Sequence, residues 1–337
     1  TDVADTRAAM ALIDRSRGVF DQAVSRAGLR NLLVLADSGW MVTTLAEVRN
    51  RMDLLVVFGT DIEGPFPRFF ERFVWPSETL FDQDPKERKI IYLGKAPSGA
   101  ASVSPLGVEP EVHVCEIDAL PKVAGALAAL AMGHALDGDE IGGIKMEVLI
   151  SIVERLGAAR YGVVAWAAGQ IDCPHAELTI QRLTQAIVRL NDKTRCMGLP
   201  LGGQDGDRTA SQVAAWLTGY PTRVGFQKGN PEYDPYHYSA ERLLARGEAD
   251  LLLWISSQGL TPPPDADVPT VVIGRSGLRL SREPEVFIPV GIPGIDFRGH
   301  MYRCDNVVAM PLHKIRESGL PRAADVLAAI EAALDAG

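Results

Sequence analysis

Apolar residues recur along the chain in two patterns, which predict alternating strands and helices. Continuous apolar runs of four to eight residues are typical of parallel strands covered on both faces. Runs of this kind occur at residues 53–59, 89–94, 112–117, 161–168, 196–201, 251–255, 270–273 and 286–290. Apolar residues at helical spacing predict helices over residues 5–13, 120–136, 145–156, 176–190 and 322–334.

The order strand, helix, strand predicts an α/β protein with two doubly wound, mainly parallel-sheet, Rossmann-like domains. Right-handed crossovers would then place ligand crevices at the carboxyl ends of the strands. Turn residues at 137–143 (DGDEIGG) predict a boundary, so we expect a first domain over residues 1–140 and a second over residues 141–337 that ends on a helix. Such domains usually begin on a strand, whereas this sequence opens on a helix, so we expect the natural N-terminus to precede Thr1.

Composition and charge exclude several classes of partner. The 337 residues are 47% hydrophobic and carry a net charge of −9 without long blocks of either sign, which disfavours nucleic acid and anionic membranes. The longest apolar segments are too short to span a bilayer, and the N-terminus has no signal-like pattern, so we expect a cytoplasmic protein. The four cysteines lie far apart without CxxC spacing, which is poor for an iron–sulfur cluster.

A few local patterns suggest ligands, but ordinary structure explains them as well. His113 with Cys115, and Cys173 with His175, bring two potential metal ligands within three residues, although strand alternation or a short loop accounts for both pairs. Residues 202–206 (GGQDG) come nearest to a phosphate loop, yet they lack the GxGxxG and GxxxxGK patterns. We therefore favour a plain turn there over a nucleotide or pterin contact.

The stretch over residues 219–257 predicts an ordered loop, then a helix and a buried strand. Repeated Gly and Pro break any regular period, so aromatic side chains must pack the loop; these are Tyr220, Phe226, Tyr233 and Tyr236. Ala240, Leu243 and Leu244 have helical spacing, and Gly247 suits a left-handed helix end. Loops of this kind often lie beside a site.

Three segments carry a family resemblance. Residues 44–70 (TLAEVRNRMDLLVVFGTDIEGPFPRFF) resemble the TLGEVKNRADxxxxxGxNPxxxHPRH stretch of molybdenum and tungsten pterin oxidoreductases, and above all of the formylmethanofuran dehydrogenase B subunit. Residues 219–257 and 288–303 resemble further segments of the same B subunit, in the same order. The resemblance covers most of the chain and implies the molybdopterin oxidoreductase fold, the type of formate dehydrogenase and DMSO reductase.

The family's chemistry depends on a cysteine or selenocysteine thiolate on the metal, followed by a histidine, in a CHG triplet. Residues 18–21 (GVFD) match the strand end before it, which places Arg26, Ala27 and Gly28 at the triplet. A guanidinium has no lone pair for a metal, and alanine cannot transfer a proton. The family's HPRH has become Phe-Pro-Arg-Phe at 66–69. We therefore expect no catalytic residue, molybdopterin, iron–sulfur cluster or metal in this chain.

A retained scaffold with lost chemical groups resembles the B subunit of the bacterial formyltransferase/hydrolase complex. In that family the complex moves a formyl group from tetrahydromethanopterin to methanofuran and hydrolyses it to formate in one-carbon metabolism. The chemistry belongs to an amidohydrolase-type A subunit and a formyltransferase D subunit, and a β-helical C subunit completes the assembly. The resemblance implies that this chain is a non-catalytic pseudoenzyme subunit of a hetero-oligomer.

Two other functions stay open. The chain could be an active molybdenum- or tungsten-pterin formylmethanofuran dehydrogenase subunit that holds its cofactor with residues 202–207 and Lys228. Alternatively, the vestigial crevice could receive the polyanionic tail of the methanofuran carrier, with Arg26, Arg68, Lys228 and Arg303 as candidate contacts. Surface ion pairs are the competing interpretation for each of these four residues.

Overall fold

The computed structural model describes residues 1–81, 84–202 and 206–336. The helices are α1 (Val3–Arg15), α2 (Ser25–Asp37), α3 (Leu45–Arg51), α4 (Leu120–Ala131), α5 (Met146–Ala158), α6 (Ala176–Leu190), α7 (Asp207–Thr218), α8 (Ala240–Ala245) and α9 (Ala323–Ala336). The strands are β1 (Val19–Phe20), β2 (Leu54–Phe58), β3 (Lys89–Gly94), β4 (Glu111–Val114), β5 (Glu140–Ile141), β6 (Ile144–Lys145), β7 (Gly162–Ala167), β8 (Cys196–Leu201), β9 (Val224–Gly225), β10 (Glu232–Tyr233), β11 (Leu252–Ser256), β12 (Thr270–Arg275), β13 (Val286–Val290), β14 (Gly299–Tyr302) and β15 (Ala309–Leu312). A π-helix (Phe70–Val74) and two short 3₁₀ helices (Pro85–Glu87 and Ile117–Ala119) lie between them.

The chain forms two compact units. The continuous unit is Arg26–Leu201, and the split unit combines Thr1–Ser25 with Gly202–Gly337. The expected boundary between residues 140 and 141 is corrected, because it falls inside the continuous unit. Strands β7 and β8, from beyond that point, extend the same sheet that β2 and β3 begin. The turn residues around it form only a small β5–β6 hairpin.

The continuous unit is built on a parallel five-stranded sheet in the order β4-β3-β2-β7-β8. Every residue of β2 is buried, as expected for a central parallel strand covered on both faces. Val56 lies opposite Ile91 on one side and Val164 on the other. Helices α4 and α6 pack together and contribute apolar faces to the same core. The predicted parallel α/β architecture is confirmed for this unit.

The split unit contains a smaller parallel sheet in the order β11-β12-β13. Helices α1 and α9 pack together, and Leu12 and Leu327 from them form a core with Ile273 and Val290 of the sheet. The unit also contains the antiparallel sheet β1-β9-β10 and the hairpin β14–β15. Strand β11 was expected to be covered on both faces, but Leu252–Ser256 is mostly half-buried because it is the edge strand of a three-stranded sheet.

Most predicted elements occur, but several were missed. Helix α6 and strands β3, β8 and β13 have the predicted bounds. Helices α2, α3 and α7 and the β14–β15 hairpin were not predicted. Helices α2 and α7 have apolar residues at helical spacing, as clear as in the predicted helices, so the sequence analysis overlooked a pattern that is present. The predicted helix over 120–136 ends at Ala131, since Gly133 turns with a φ of +83°.

Candidate functional site

The carboxyl ends of the strands are where a parallel sheet usually binds ligands. Strands β2 and β3 end next to left-handed glycines, Gly59 (φ +57°) and Gly94 (φ +102°). A Cβ on Gly94 would lie 2.6 Å from Leu120 Cδ2, so only glycine allows this close turn. The turns bring together a group of polar residues that we call the edge cluster, comprising Thr60, Asp61, Glu63, Lys95 and Gln170.

The side chains of the edge cluster form hydrogen bonds mainly with the loops that follow β2 and β3. The Asp61 carboxylate accepts the N–H groups of Glu63 at 3.0 Å and Gly64 at 3.3 Å. Burial raises the pKa of Asp61, but hydrogen bonds from Ser98, Glu63 and Gly64 outweigh it and hold that pKa below its usual range. The Glu63 carboxylate accepts the Ser102 hydroxyl at 2.6 Å. These acceptors are already used in ordering the loops that follow β2 and β3.

Helix α2 is anchored beside this edge by Arg30. Its buried guanidinium donates to the carbonyls of Ala168 at 2.7 Å and Ile171 at 2.8 Å, and to the Asp172 carboxylate at 2.6 Å. The hydrogen bond from Arg30 lowers the pKa of Asp172, and the charge of Arg26 adds to that effect. The orientation of α2 against the loop after β7 is therefore well determined.

Arg26 and Ala27 lie in the first turn of α2. The Arg26 side chain is exposed, whereas Ala27 is half-buried. A Cβ placed on Gly169 would lie 3.4 Å from the Ala27 Cβ, so this methyl group lies close to the loop backbone after β7. The two positions that the sequence analysis assigns to the family's thiolate and histidine hold a solvent-facing cation and a small packed side chain, and that assignment stays a prediction.

The altered HPRH segment is now part of an aromatic core. Phe69 is 3% exposed, and its ring lies 5.5 Å from Phe70 and 6.0 Å from Phe73 between centroids. Arg68 is exposed and pairs with Glu71, with nitrogen–oxygen distances of 2.5 and 3.0 Å. One former histidine position is therefore apolar and buried, and the arginine of the segment forms an ordinary surface ion pair.

The two candidate cations of the split unit are also paired. The exposed Lys228 amine lies 2.9 Å from the Glu232 carboxylate, and Arg303 lies 2.6 Å from Asp305. With Arg68, three of the four candidate contacts are ion-paired. The surface-pair interpretation is supported for Arg68 and Lys228, whereas Arg303 is 22% exposed and its partner Asp305 is fully buried. The four residues are divided equally between the two units, each beside a different acidic residue. Their role as carrier contacts stays a prediction.

The aromatic loop at 219–257 has the expected packing. The rings of Tyr220 and Tyr233 stack with centroids 5.3 Å apart and planes 10° from parallel, and Phe226 is buried. Gly247 takes the predicted left-handed conformation after α8, with a φ of +63°. Tyr236 stays exposed beside His237. The loop is an ordered part of the split unit.

The sequence analysis did not predict a buried ion pair between this loop and the residue after β1. Asp21, directly after β1, lies 3.7 Å from Arg223, and both side chains are buried. The Asp21 carboxylate also accepts the Thr222 hydroxyl at 3.0 Å and the Ala240 N–H at 2.9 Å. Burial raises the pKa of Asp21, against the opposing hydrogen bonds and the Arg223 charge. No local pattern links two residues so far apart in sequence.

The other sequence-level ligand candidates do not form metal sites. His113 pairs with Glu111 at 2.7 Å, and His175 lies 3.3 Å from Glu177. Among residues 1–81, 84–202 and 206–336, no group of three or more His, Cys, Asp or Glu side chains could hold a metal ion. Of the 202–206 segment, residues 203–205 lie outside the described residues. Within the described part of the chain no helix is long and apolar enough to cross a membrane.

The residues present do not fit a molybdenum or tungsten pterin. Arg26 and Ala27, which the sequence analysis assigns to the metal-ligand triplet, offer a guanidinium and a methyl group, neither of which donates an electron pair to a metal. The nearby carboxylates of the edge cluster already accept backbone and serine hydrogen bonds. No reaction step through such a cofactor can be derived for this chain.

With the parallel α/β fold and the aromatic loop described, the chain is similar to proteins of the formylmethanofuran dehydrogenase B type. The chain is 28% identical over 296 residues to the B subunit of tungsten-containing formylmethanofuran dehydrogenase 2 from Methanocaldococcus jannaschii, covering 86% of this chain and 67% of the relative. It is 28% identical over 305 residues to the B subunit of the formyltransferase/hydrolase complex Fhc from Methylorubrum extorquens, covering 89% and 78%.

A solved structure agrees with these relatives. A chain from the crystal structure of the M. extorquens formyltransferase/hydrolase complex (FhcABCD) with methylofuran superposes with a TM-score of 0.81 at 28% identity, covering 100% of this chain and 89% of that one. No family model matches the sequence. The resemblance to the formylmethanofuran dehydrogenase B subunit, including the B subunit of the formyltransferase/hydrolase complex, is confirmed.

Proposed function

We propose that this chain is a non-catalytic structural subunit of a formyltransferase/hydrolase complex, in the place of its B subunit. Its fold would be that of a molybdopterin oxidoreductase that no longer binds pterin, metal or cluster. One observation supports the proposal above the others: Arg26 is exposed and Ala27 is packed, at the positions that the sequence analysis assigns to the family's thiolate and histidine. A scaffold keeps its packing residues when its chemical groups are no longer needed.

Two further observations support this role. Phe69, at a former histidine position, is buried among aromatic rings, so the change contributes to the core. At the carboxyl ends of the sheet, the carboxylates of the edge cluster accept hydrogen bonds from the surrounding loops. These hydrogen bonds stabilise the loops and occupy acceptors that a ligand would otherwise use. Both features are expected of a subunit that is selected for a stable fold and not for catalysis.

The proposed setting is what the family resemblance of the sequence implies. The complex would move a formyl group from tetrahydromethanopterin to methanofuran and hydrolyse it to formate, as a cytoplasmic hetero-oligomer. Its reactions would belong to an amidohydrolase-type A subunit and a formyltransferase D subunit, with a β-helical C subunit as the fourth chain. Methanofuran would be the carrier of the complex, and this chain would contribute contact surfaces only.

Metal analysis of the assembled protein tests the proposal. The tagged chain is purified from its own cells with its partners, and molybdenum and tungsten are measured per chain by mass spectrometry. We expect co-purification with amidohydrolase-type and formyltransferase-type subunits and metal far below one atom per chain. A tungsten-containing formylmethanofuran dehydrogenase prepared in parallel shows that the procedure retains the metal. A stoichiometric amount of either metal in the tagged sample would contradict the proposal.

A second candidate function is an active tungsten- or molybdenum-pterin subunit. It is favoured by the names of two relatives, the M. jannaschii protein and a second B subunit of tungsten-containing formylmethanofuran dehydrogenase 2, from Methanococcus maripaludis, which is 25% identical over 303 residues. Acid extraction and fluorescence detection of oxidised pterin distinguish the two functions. Fluorescent pterin at one equivalent or more per chain would favour the second candidate, and its absence would leave the structural role.

A further inference from the structure

Strand β4 is the edge strand of the five-stranded sheet, and among the described residues no strand pairs with its outer side. On its inner side it pairs with β3, and the Cys115 N–H directly after it donates to the Gly94 carbonyl at 3.0 Å. Successive N–H groups of a strand point to opposite sides, so those of Val112 and Val114 point outward. An open row of backbone donors and acceptors is a ready template for another strand.

The apolar side chains of β4 lie on its exposed face. Val112 and Val114 are 40% and 60% exposed, whereas Glu111 and His113, which point to the opposite face, are half-buried. The neighbouring strand β3 is buried over five of its six residues. Parallel strands are normally covered on both faces. The two valines therefore mark a part of the sheet that the described chain leaves uncovered.

Further exposed apolar side chains flank the strand. Leu106 and Val108 precede it and are 62% and 52% exposed, and Ile117 follows it and is 41% exposed. The turn before the strand is ordered, because the Val108 N–H donates to the Ser104 hydroxyl at 3.1 Å and the Gly107 N–H donates to the Ser104 carbonyl at 2.8 Å. Apolar groups that are already held in place bind at a lower entropic cost. We define the β4 surface as Leu106, Val108, Val112, Val114 and Ile117.

The charge around the β4 surface is negative. Residues 105–118 contain four acidic residues and no Lys or Arg. Among the described residues, only Glu111 of these four lies in an ion pair, with Arg155 at 2.5 Å. The other three are exposed, and they are Glu109, Glu116 and Asp118. A partner that covers the valines therefore lies beside three uncompensated carboxylates, one before the strand and two after it.

These charges distinguish between classes of partner. A second copy of this chain would bring the acidic residues of one β4 segment beside those of the other, and like charges opposite each other on paired strands are destabilising. Nucleic acid and anionic membranes are disfavoured by the same negative charge. A basic polypeptide segment is complementary in both respects, since its backbone can pair with β4 and its cations can lie beside the carboxylates.

We propose that the β4 surface binds an extended segment of a partner protein that has apolar residues at alternate positions and Lys or Arg on either side of them. The segment adds a sixth strand to the sheet. Its backbone pairs with the outward groups of Val112 and Val114, its apolar side chains cover these valines, and its basic residues lie near the flanking carboxylates. The inference does not depend on the proposed function, since it concerns where a partner lies and not which reaction the assembly catalyses.

Site-specific photo-crosslinking in the assembled protein tests the inference. Val112 or Val114 of the tagged chain is replaced by p-benzoylphenylalanine in its own cells, and after irradiation the captured peptide is sequenced by mass spectrometry. We expect both positions to capture the same segment of one partner chain, with alternate apolar residues between Lys or Arg. Leu178, which is 54% exposed on α6 of the same unit, is the matched control and should not capture that segment.

Three results of the crosslinking would overturn the inference. They are no captured partner at either valine, capture of a second copy of this chain, and capture of a segment without Lys or Arg. A synthetic peptide of the captured segment is then titrated against the purified full-length chain by fluorescence anisotropy. Val114→Lys should weaken binding by about tenfold, because it removes an apolar contact and places a cation against a basic segment.

Charge variants test the acidic flank separately. Glu116→Gln should weaken peptide binding by about two- to fivefold, the usual effect of losing an exposed ion pair. Glu147→Gln removes an exposed carboxylate of α5 and should leave binding unchanged. Because Val114 and Glu116 are exposed, their variants are expected to fold. Equal binding by wild type and Val114→Lys would overturn the inference.

Hydrogen exchange distinguishes an added strand from docking through side chains alone. The backbone amides of residues 111–115 should exchange at least about tenfold more slowly when the peptide is bound, because the outward N–H groups then donate to its carbonyls. Unchanged exchange over these residues in the presence of saturating peptide would overturn the added strand.

Discussion

The Arg223 guanidinium lies 3.7 Å from the Asp21 carboxylate, and the two side chains are only 8% and 5% exposed. Asp21 follows β1, and Arg223 precedes β9 in the loop that carries the family resemblance. Arg223 also donates to the Pro235 carbonyl and to the Ser25 hydroxyl, so it joins three segments of the split unit. An ion pair this buried is expected to matter more for stability than any of the exposed pairs.

Arg223→Met should lower the free energy of unfolding by about 3–5 kcal/mol, because it leaves the Asp21 carboxylate buried without its partner. Urea denaturation at pH 7 measures the effect. Arg68→Met, which breaks an exposed pair with Glu71, is the matched control and should leave the midpoint unchanged. The idea fails if both variants unfold at the wild-type urea concentration.

The same variant has a predicted pH dependence. Burial already raises the folded-state pKa of Asp21 above its unfolded value, so ionising it opposes folding, and loss of Arg223 should raise the pKa further. Protonated Asp21 is compatible with burial, so its contribution to folding stability is fully present below the pKa of the unfolded state. That contribution is lost as the pH rises through the pKa of the folded state. The deficit of Arg223→Met relative to wild type should therefore shrink between pH 7 and pH 4. A deficit that grows on acidification would contradict the assignment.

Phe69→His, which restores a histidine of the family motif, should destabilise the chain by about 2–4 kcal/mol. It places a polar ring in an aromatic core where Phe69 is 3% exposed. Because a buried imidazole resists protonation, the loss should be larger at pH 5 than at pH 8. Guanidinium denaturation at both pH values measures it, with Phe66→His at a less buried position as control. Equal, small losses for both variants would show that the segment is not packed as described.

Gly94→Ala should destabilise the chain by about 2–5 kcal/mol, since it combines a left-handed backbone with crowding. The added Cβ would lie 2.6 Å from Leu120 Cδ2 and 3.3 Å from the Gly59 backbone. Gly107 has a similar φ of +76°, but an added Cβ there would meet nothing within 4 Å. Gly107→Ala therefore isolates the backbone effect and should lower the free energy of unfolding by only about 1 kcal/mol. Thermal unfolding of both proteins gives the difference; equal melting temperatures would rule out crowding at the end of β3.

Asp234→Ala should lower stability at pH 7 by less than about 1 kcal/mol, because its side chain is 39% exposed and solvent screens its interactions. Hydrogen bonds from the His237 backbone and side chain lower the pKa of Asp234 to about 2. A depressed pKa contributes stability that is complete above the unfolded value of roughly 3.9 and disappears as pH falls through the folded value. The difference from wild type should vanish between pH 4 and pH 2, and a difference that is unchanged at pH 2 would contradict the assignment.

Strands β3 and β8 were predictable because buried parallel strands need continuous apolar runs, which are a local property of the sequence. Strand β13 has such a run too, although most of its residues are exposed. Helix α2 has a helical apolar pattern as well, but its placement was not predictable, because Arg30 bonds to the carbonyls of Ala168 and Ile171, residues more than a hundred positions away. The domain boundary failed for a related reason. Turn-forming residues near position 140 show where the chain turns, but strand pairing decides which sheet β7 and β8 join.

The sequence by itself determined the α/β class and the family resemblance, and it predicts that Arg26 and Ala27 replace the family's thiolate and histidine. These follow from residue identity and local order, which need no coordinates. Only the tertiary structure decided that Asp21 pairs with Arg223 and that Phe69 is buried among aromatic rings. Burial and pairing arise between residues distant in sequence, and they set the free energy of a charge or a ring far more than its neighbours along the chain do.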